Sequence, residues 1–223
     1  MNVKLIGVTA PYVGYNSAED MIVYMARVSN PSNQSMTRGD EKLIRYLIKN
    51  QHWSPFEMVN VVMEINTTRD IARQILRHRS FSFQEFSQRY AVADMGFKLK
   101  ETRLQDTKNR QNSLDIDLKD DKHRQIAYQW EMMQQRVITE AKNAYEWAIS
   151  KGIAKEQARG VLPEITSSRI YMAGTIRSWV HYIQLRSANG TQKEHREIAI
   201  SCAKALEPIF PMIKEFVSND ENI

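Results

Sequence analysis

Apolar residues alternate with others through "VKLIGVT" near the start of the chain, the period-two pattern of a strand with one covered face. A turn follows at "APYVGYNS". From Ser17 the period changes, because "SAEDMIVYMARVSN" opens with a helix-capping residue and sets Met21, Ile22, Tyr24 and Met25 on one broad face. The polar stretch "NPSNQSMTRGD" brings Asp40 to the start of a second helix, "EKLIRYLIKN", with Leu43, Ile44, Leu47 and Ile48 inward. "PFEMVNVVMEINTT" returns to alternation through Phe56, Met58, Val62 and Glu64, slips near Asn60, and is the strongest strand signal in the chain. It runs straight into "TTRDIARQILRHR", whose Ile71, Ala72, Ile75 and Leu76 share one side of a helix.

Residues 94–124 are polar and show neither period, so they are expected to form a long loop or excursion. A long helix follows over 126–152, with Ile126, Trp130, Met133, Val137, Ala141, Ala144 and Ala148 spaced by three or four and Gly152 at its end. Its aromatic and methionine residues read mostly as core. "IAKEQARGVLP" is a short helix closed by Pro163, another helix is expected near residues 174–185, and "QKEHREIAISCAKALEPIF" is the last. There is no repeat, low-complexity tract or linker, and residues 1–223 are expected to fold as one domain.

Composition narrows the class without deciding it. At 42% hydrophobic and 26% charged, the chain has the balance of an ordinary globular protein. No stretch reaches the roughly 18 apolar residues of a membrane span, and the start lacks the apolar run and cleavage site of a signal peptide, so a cytoplasmic, membrane-free protein is expected. The single cysteine, Cys202, excludes an intrachain disulfide and any cysteine-rich metal site. Ile198, Cys202, Leu206 and Ile209 follow at helical steps, which puts the thiol on a buried, inert face. With five scattered histidines, no protein-held metal is expected.

The net charge of +5 is modest, so its placement matters more than its size. Residues 77–90, "RHRSFSFQEFSQRY", gather Arg77, His78, Arg79 and Arg89 with Ser82, Ser87 and Glu85 between three phenylalanines. Upstream, Arg69, Arg73 and Arg77 recur every four residues, with Gln74 beside them. Arginine forks and hydroxyls suit phosphate, whereas a carboxylate among them pairs with the arginines or accepts from a sugar or base. A second cluster comes from "ARGVLP" (Arg159) and "GTIRSWVHYIQLRS" (Arg177, His181, Arg186), with Trp179, Tyr182 and Ile183 inward. Two readings of these residues stand side by side: solvated helix faces, or a site for an anionic ligand with a sugar or heterocyclic end, that is, a nucleotide. No Walker loop, GxGxxG, HExxH or GxSxG element is present.

The stretch RHR, seven residues, then serine (Arg77, His78, Arg79, "SFSFQEF", Ser87) resembles the signature of the flavin-dependent thymidylate synthases. "ARVSNP", "HWSPFE", "RDIARQILRHR", "SQRY", "ARGVLP" and "GTIRSWVHYIQLR" extend the resemblance over nearly the whole chain. It implies an α/β (α+β) fold with a mostly antiparallel sheet flanked by long helices, assembled as a homotetramer. The implied reaction moves the methylene of 5,10-methylenetetrahydrofolate to dUMP, with hydride from FAD that NADPH has reduced, giving dTMP. By matching position, the resemblance assigns dUMP to Gln74, Arg77, Glu85, Ser87, Gln88, Arg89, Arg159 and Arg186, with Arg186 as the catalytic residue against the pyrimidine. FAD and folate fall to Ser29, His52, Ser54, Glu57, Arg77, His78, Arg79, Glu85, Thr175, Arg177 and His181. Gln84, Thr175 and His181 depart from the asparagines found at these places in other members.

The alternative is a non-catalytic basic module that tracks phosphates with arginines and stacks bases on phenylalanines. Glu57 and Glu85 within the key segments, and the small excess of charge, weigh against it and against a nucleic-acid partner.

Overall fold

The computed structural model describes residues 2–12, 17–34, 41–92 and 96–218. Strand β1 (Asn2–Val8) leads to helix α1 (Ala18–Ala26), and the Ser17 hydroxyl accepts the Asp20 amide at 3.0 Å as the expected cap. A 3₁₀ turn (Arg27–Ser29), short helix α2 (Pro31–Gln34) and helix α3 (Glu41–Lys49) follow. The expected cap of α3, Asp40, lies outside the described residues.

The strand expected from Pro55 begins later. Ser54–Glu57 form a 3₁₀ turn, and β2 spans Asn60–Thr68 with Val61, Met63 and Ile65 buried, not Val62 and Glu64. Helix α4 covers Arg69–Ile75, then β3 occupies Ser82–Glu85, inside the arginine-rich motif. The described part of the expected 94–124 loop, from residue 96, is not a plain loop: β4 (Arg103–Gln105) and β5 (Ser113–Asp115) form a hairpin. Helix α5 (Asp121–Ser150) starts on the Asp120 carboxylate, and short helix α6 (Lys155–Ala158) runs into a 3₁₀ turn, Arg159–Val161. Strand β6 (Ser167–Thr175), helix α7 (Ile176–Arg186), helix α8 (Lys193–Leu206) and a 3₁₀ turn (Pro211–Phe216) complete the order.

The main sheet is antiparallel throughout, in the order β1-β2-β6-β3. Met63 pairs with Met172 and Ile65 with Ile170, so both central strands turn the same apolar face to the core. That core also takes Ile71 and Ile75 of α4, Trp179, Tyr182 and Ile183 of α7, and Ile198 and Leu206 of α8. Cys202 is fully buried there, as its spacing predicts, and burial raises its thiol pKa well above the ordinary value. The opposite sheet face is mixed, pairing Val62 with Ala173 and Asn66 with Arg169, and on it Tyr171 Oη donates to Glu64 at 2.8 Å. Among the described residues no helix is long and apolar enough to cross a membrane.

Both central strands pass into helices without a connecting residue. Thr68 ends β2 and stands at the N-cap position of α4 without a side-chain cap, while Thr175 ends β6 and caps α7. The first helical amides bond to neighbouring backbone: Arg69 N to Thr166 O at 3.0 Å and Ile176 N to Val59 O at 2.9 Å. Because the strands are antiparallel, the helices start at opposite ends of the sheet. The carboxyl end of α7 and the segment leaving α4 then meet, Arg186 against His78.

Helix α5 corrects an expectation. Its period is as predicted, but only Gln134, Tyr145 and Ala148 are buried, and Tyr128, Trp130, Met132, Met133, Val137 and Trp147 face outward. Gln134 docks it by bonding the Lys100 backbone on both sides, at 2.7 and 3.0 Å.

Phe81 fixes β3 against β6. Its ring lies on Gly174 and meets Trp179 edge-on at 4.9 Å, and a Cβ at residue 174 would come within 2.4 Å of the ring. Gly174→Ala is therefore expected to destabilise the fold by about 1–3 kcal/mol, since the ring is wedged between Trp179 and Tyr182 and cannot swing away. Urea unfolding of the variant measures this; an unchanged midpoint would show that the edge strand yields freely.

Candidate active site

Helix α4 ends at Ile75, so Arg77 leaves the stripe of Arg69 and Arg73 and enters a tight turn in which His78 N bonds Ile75 O at 3.1 Å. This turn points His78 at α7. There the Arg186 Nε–H donates to His78 Nε2 at 2.9 Å, and the Tyr182 ring packs edge-on against the imidazole at 4.9 Å. An imidazole nitrogen accepts only when unprotonated. Burial first, then the charges of Arg186 and His181, lower the His78 pKa to about 4, so it is neutral where the hydrogen bond requires it. Arg186 also sits at the carboxyl end of its helix, where a cation is favoured.

Gln74 lies beside this pair. Its Nε2 donates to Gln192 Oε1 at 2.7 Å and its Oε1 lies 3.2 Å from Nδ1 of His195, a fully buried residue of α8. Burial, then Arg186 and His78, lower the His195 pKa to about 3.

Four of the residues expected at FAD, Glu57, Thr175, Arg177 and His181, wall one cavity of about 730 Å³ with Gln51 and Trp53. Thr175 caps α7 there by accepting the Ser178 amide at 3.2 Å, which turns a helix N-terminus to the cavity. Arg177 is ion-paired to Glu57. The volume, the arginine, the helix N-terminus and the Trp53 ring fit a large ligand with anionic and flat parts. Ser54 opens the turn that carries Glu57, and exposed His52 sets its ring against Tyr46 at 6.0 Å. Exposed Ser29 ends the turn after α1, and Arg77 and Arg79 are exposed in the connection to β3. None of these five lines the cavity.

The remaining residues expected at dUMP lie on β3, in the segment after it and in the turn after α6. Glu85 accepts from the Ser168 hydroxyl at 2.8 Å, Gln88 accepts from Arg69 at 3.0 Å, and Arg89 lies 3.5 Å from Glu156. Ser87 accepts the Arg89 amide at 3.4 Å, and Arg159 starts the turn just after α6. Among the described residues, no hydrogen bond or ion pair links Ser87, Gln88, Arg89 or Arg159 to Gln74, His78 or Arg186.

Sequence reasoning misses Gln51, Trp53 and Gln184 at the cavity and Gln192 and His195 behind Gln74. Gln184 was findable, since Arg177, His181 and Gln184 follow at helical steps of four and three. Gln192 and His195 carry no local signal. Gln51 stands out only by its backbone: at φ 57° it ends α3 with His52 N bonding Leu47 O at 2.8 Å, the same closure that Gly152 makes for α5 at φ 75°.

A nucleotide-sized cavity walled by a helix N-terminus and arginine, next to an arginine held on a neutral imidazole, defines a protein that binds large, flat, anionic ligands. Comparison with known proteins makes the class specific. The family model for thymidylate synthase complementing protein matches residues 12–212. A probable flavin-dependent thymidylate synthase of Paramecium bursaria Chlorella virus 1 is 48% identical over 214 residues, covering 96% of this chain and 97% of the relative. A flavin-dependent thymidylate synthase of Synechocystis sp. is 46% identical over 217 residues, with coverage of 96% and 97%. Among solved structures, a UMP/dUMP methylase, PolB from Streptomyces cacaoi, bound with 5-Br dUMP, superposes with a TM-score of 0.78 at 26% identity, covering 96% of this chain and 93% of that one. The chain belongs to the flavin-dependent thymidylate synthase family.

Two measurements test the site's energetics. Gln51→Gly is expected to raise stability to urea by about 0.5–1 kcal/mol by relieving a left-handed residue, while weakening ligand binding at the cavity; a loss of stability would show that no strain is held there. Stability should also depend on acid. His78 and His195 are neutral in the folded chain down to about 4 and about 3 but protonate near 6.5 when unfolded. The unfolded state therefore binds more protons between these values, so their contribution is complete above pH 6.5 and declines as pH falls toward 4. His78→Gln, whose carbonyl can still accept from Arg186, is expected to flatten that decline, read as urea midpoints against pH.

Proposed function

We propose that this chain converts dUMP to dTMP as a flavin-dependent thymidylate synthase, with 5,10-methylenetetrahydrofolate as the methylene donor. FAD, when bound, supplies the hydride that completes the methyl group, and NADPH is the reductant. The observation that carries this reading is the meeting of Arg186 with neutral His78 beside the cavity of Glu57, Thr175, Arg177 and His181.

Each residue has a task in this reading. With Nε committed to His78, Arg186 keeps Nη1 and Nη2 for the pyrimidine, where a fixed cation stabilises negative charge as it develops on the ring. His78 holds that guanidinium without a competing positive charge. Gln74 and Arg77 bind the same nucleotide, Glu85 and Gln88 complete its polar contacts, and Ser87, Arg89 and Arg159 hold its phosphate. Thr175, Arg177, His181 and Glu57 would hold FAD at the amino end of α7, together with Ser29, His52, Ser54, Arg77, His78, Arg79 and Glu85. Excluding water from such a site strengthens every one of these polar contacts.

Assembly as a homotetramer, with sites completed between subunits, belongs to the same reading, as does a cytoplasmic location. One observation supports the assembly: the aromatic and methionine surface of α5, which the described residues leave exposed. The rival reading, a basic nucleic-acid module, loses support from the ion pairs of Arg73 with Glu164, Arg89 with Glu156 and Arg177 with Glu57. These carboxylates interrupt any continuous basic track.

Purified protein is expected to retain added FAD through gel filtration, to bleach its absorbance with NADPH and dUMP, and to form dTMP once 5,10-methylenetetrahydrofolate is supplied. Protein that takes up no flavin would overturn the proposal. Arg186→Ala is expected to keep flavin but lose at least about 100-fold in dTMP formation; undiminished turnover would remove Arg186 from the reaction.

A further inference from the structure

A chain of side-chain hydrogen bonds crosses from the β4–β5 hairpin to the nucleotide side of the site, and its direction is set at one end. Glu194 accepts from Arg103 at 2.5 Å, with both side chains largely buried. Burial alone would raise the Glu194 pKa, but the bonds from Arg103, from its own backbone amide and from Gln192 outweigh it and the net shift is downward, so the group is a carboxylate and accepts only. Gln192 must therefore turn its amide nitrogen to Glu194 Oε2, at 2.9 Å. That leaves the Gln192 carbonyl to receive Gln74 Nε2, at 2.7 Å. The Gln74 carbonyl consequently faces His195 Nδ1, at 3.2 Å, and that nitrogen must carry the proton. Nε2 of the same ring is then an acceptor, matched by the Tyr182 hydroxyl at 3.2 Å.

Each amide and ring in the chain has two possible orientations in isolation, and each is reduced to one by its neighbour. Gln74 is the last member and is only half buried. One of its two Nε2 hydrogens is committed to Gln192, and its carbonyl is engaged by His195. The other hydrogen is uncommitted among the described residues, so Gln74 offers a donor of fixed direction.

We propose that His195 is a positioning residue for substrate selection: with Gln192, Glu194 and Arg103 it locks the Gln74 amide so that its free N–H meets a carbonyl acceptor of the pyrimidine. This rests on the reading that Gln74 binds dUMP. It gives the hairpin between residues 94 and 124 a task, because β4 supplies the cation that orients the whole chain. An amide free to flip would spend part of its time presenting its carbonyl oxygen, which a pyrimidine carbonyl repels.

Steady-state dTMP formation with FAD, NADPH and 5,10-methylenetetrahydrofolate, at varied dUMP, tests it. Gln74→Leu is expected to raise KM for dUMP about tenfold. His195→Leu keeps the buried apolar volume but removes the ring donor, and should raise KM in the same direction with kcat little changed. His195→Asn should recover most of the loss, because its Nδ2 can occupy the place of the ring Nδ1. Packing alone predicts the reverse order, with leucine tolerated and asparagine costly. If Gln74→Leu leaves KM unchanged, the assignment of Gln74 to dUMP fails and the inference falls with it. If Gln74→Leu raises KM but His195→Leu does not, or His195→Asn is no better than His195→Leu, the role of His195 alone is overturned. Independently of any variant, ¹⁵N shifts of the wild-type imidazoles should show His195 protonated at Nδ1; protonation at Nε2 would also overturn it.

Discussion

Arg186 donating to His78 is the bond around which the site is arranged, because it holds only while the imidazole is neutral and the guanidinium is kept near it. Burial beside a permanent cation satisfies the first condition. Backbone geometry satisfies the second. Antiparallel β2 and β6 pass directly into α4 and α7 at opposite ends of the sheet, so the turn after α4 and the carboxyl end of α7 meet without long connections. Lengthening either junction by one residue would rotate its helix by about 100° and separate the pair. The first amides of both helices bond to backbone carbonyls, which holds their direction independently of side-chain packing.

Much of this was legible in the chain, for identifiable reasons. Ser17 capped its helix, β2 ran into α4, and Ile198, Cys202 and Leu206 faced the core because each rests on a short-range period or cap. Strand β6 is not legible in the sequence, because its core face carries Ser168 and Gly174 along with Ile170 and Met172, which weakens the alternation. Both small residues are explained only by partners distant in sequence, Glu85 for Ser168 and Phe81 for Gly174. Strand β3 was hidden by its length and by the functional residues it carries. The convergence of Arg177 and Glu57, or of Gln74 and His195, joins segments 120 and 121 residues apart, which no local pattern encodes.

The helix closures at Gln51 and Gly152 make a useful contrast. Both use the same backbone bonds and a left-handed residue, and glycine is the residue that adopts this conformation without steric penalty. The one that departs from glycine is the one that borders the cavity. Strain retained beside a binding surface, and avoided at an equivalent closure on α5, is consistent with a side chain kept for what it touches. The apolar surface of α5 has a similar logic, because its helical period is intact while the chain itself supplies little to cover it.

Cys202, sealed between α8 and the sheet, has one more consequence. Its thiolate is suppressed by complete burial, and the chain has no second sulfhydryl to confuse the chemistry. A thiol-selective reagent can therefore label Cys202 only in molecules that have opened the core. The rate of labelling at this one sulfur counts those openings directly, giving the protein a built-in clock for its own unfolding that is silent in the native state.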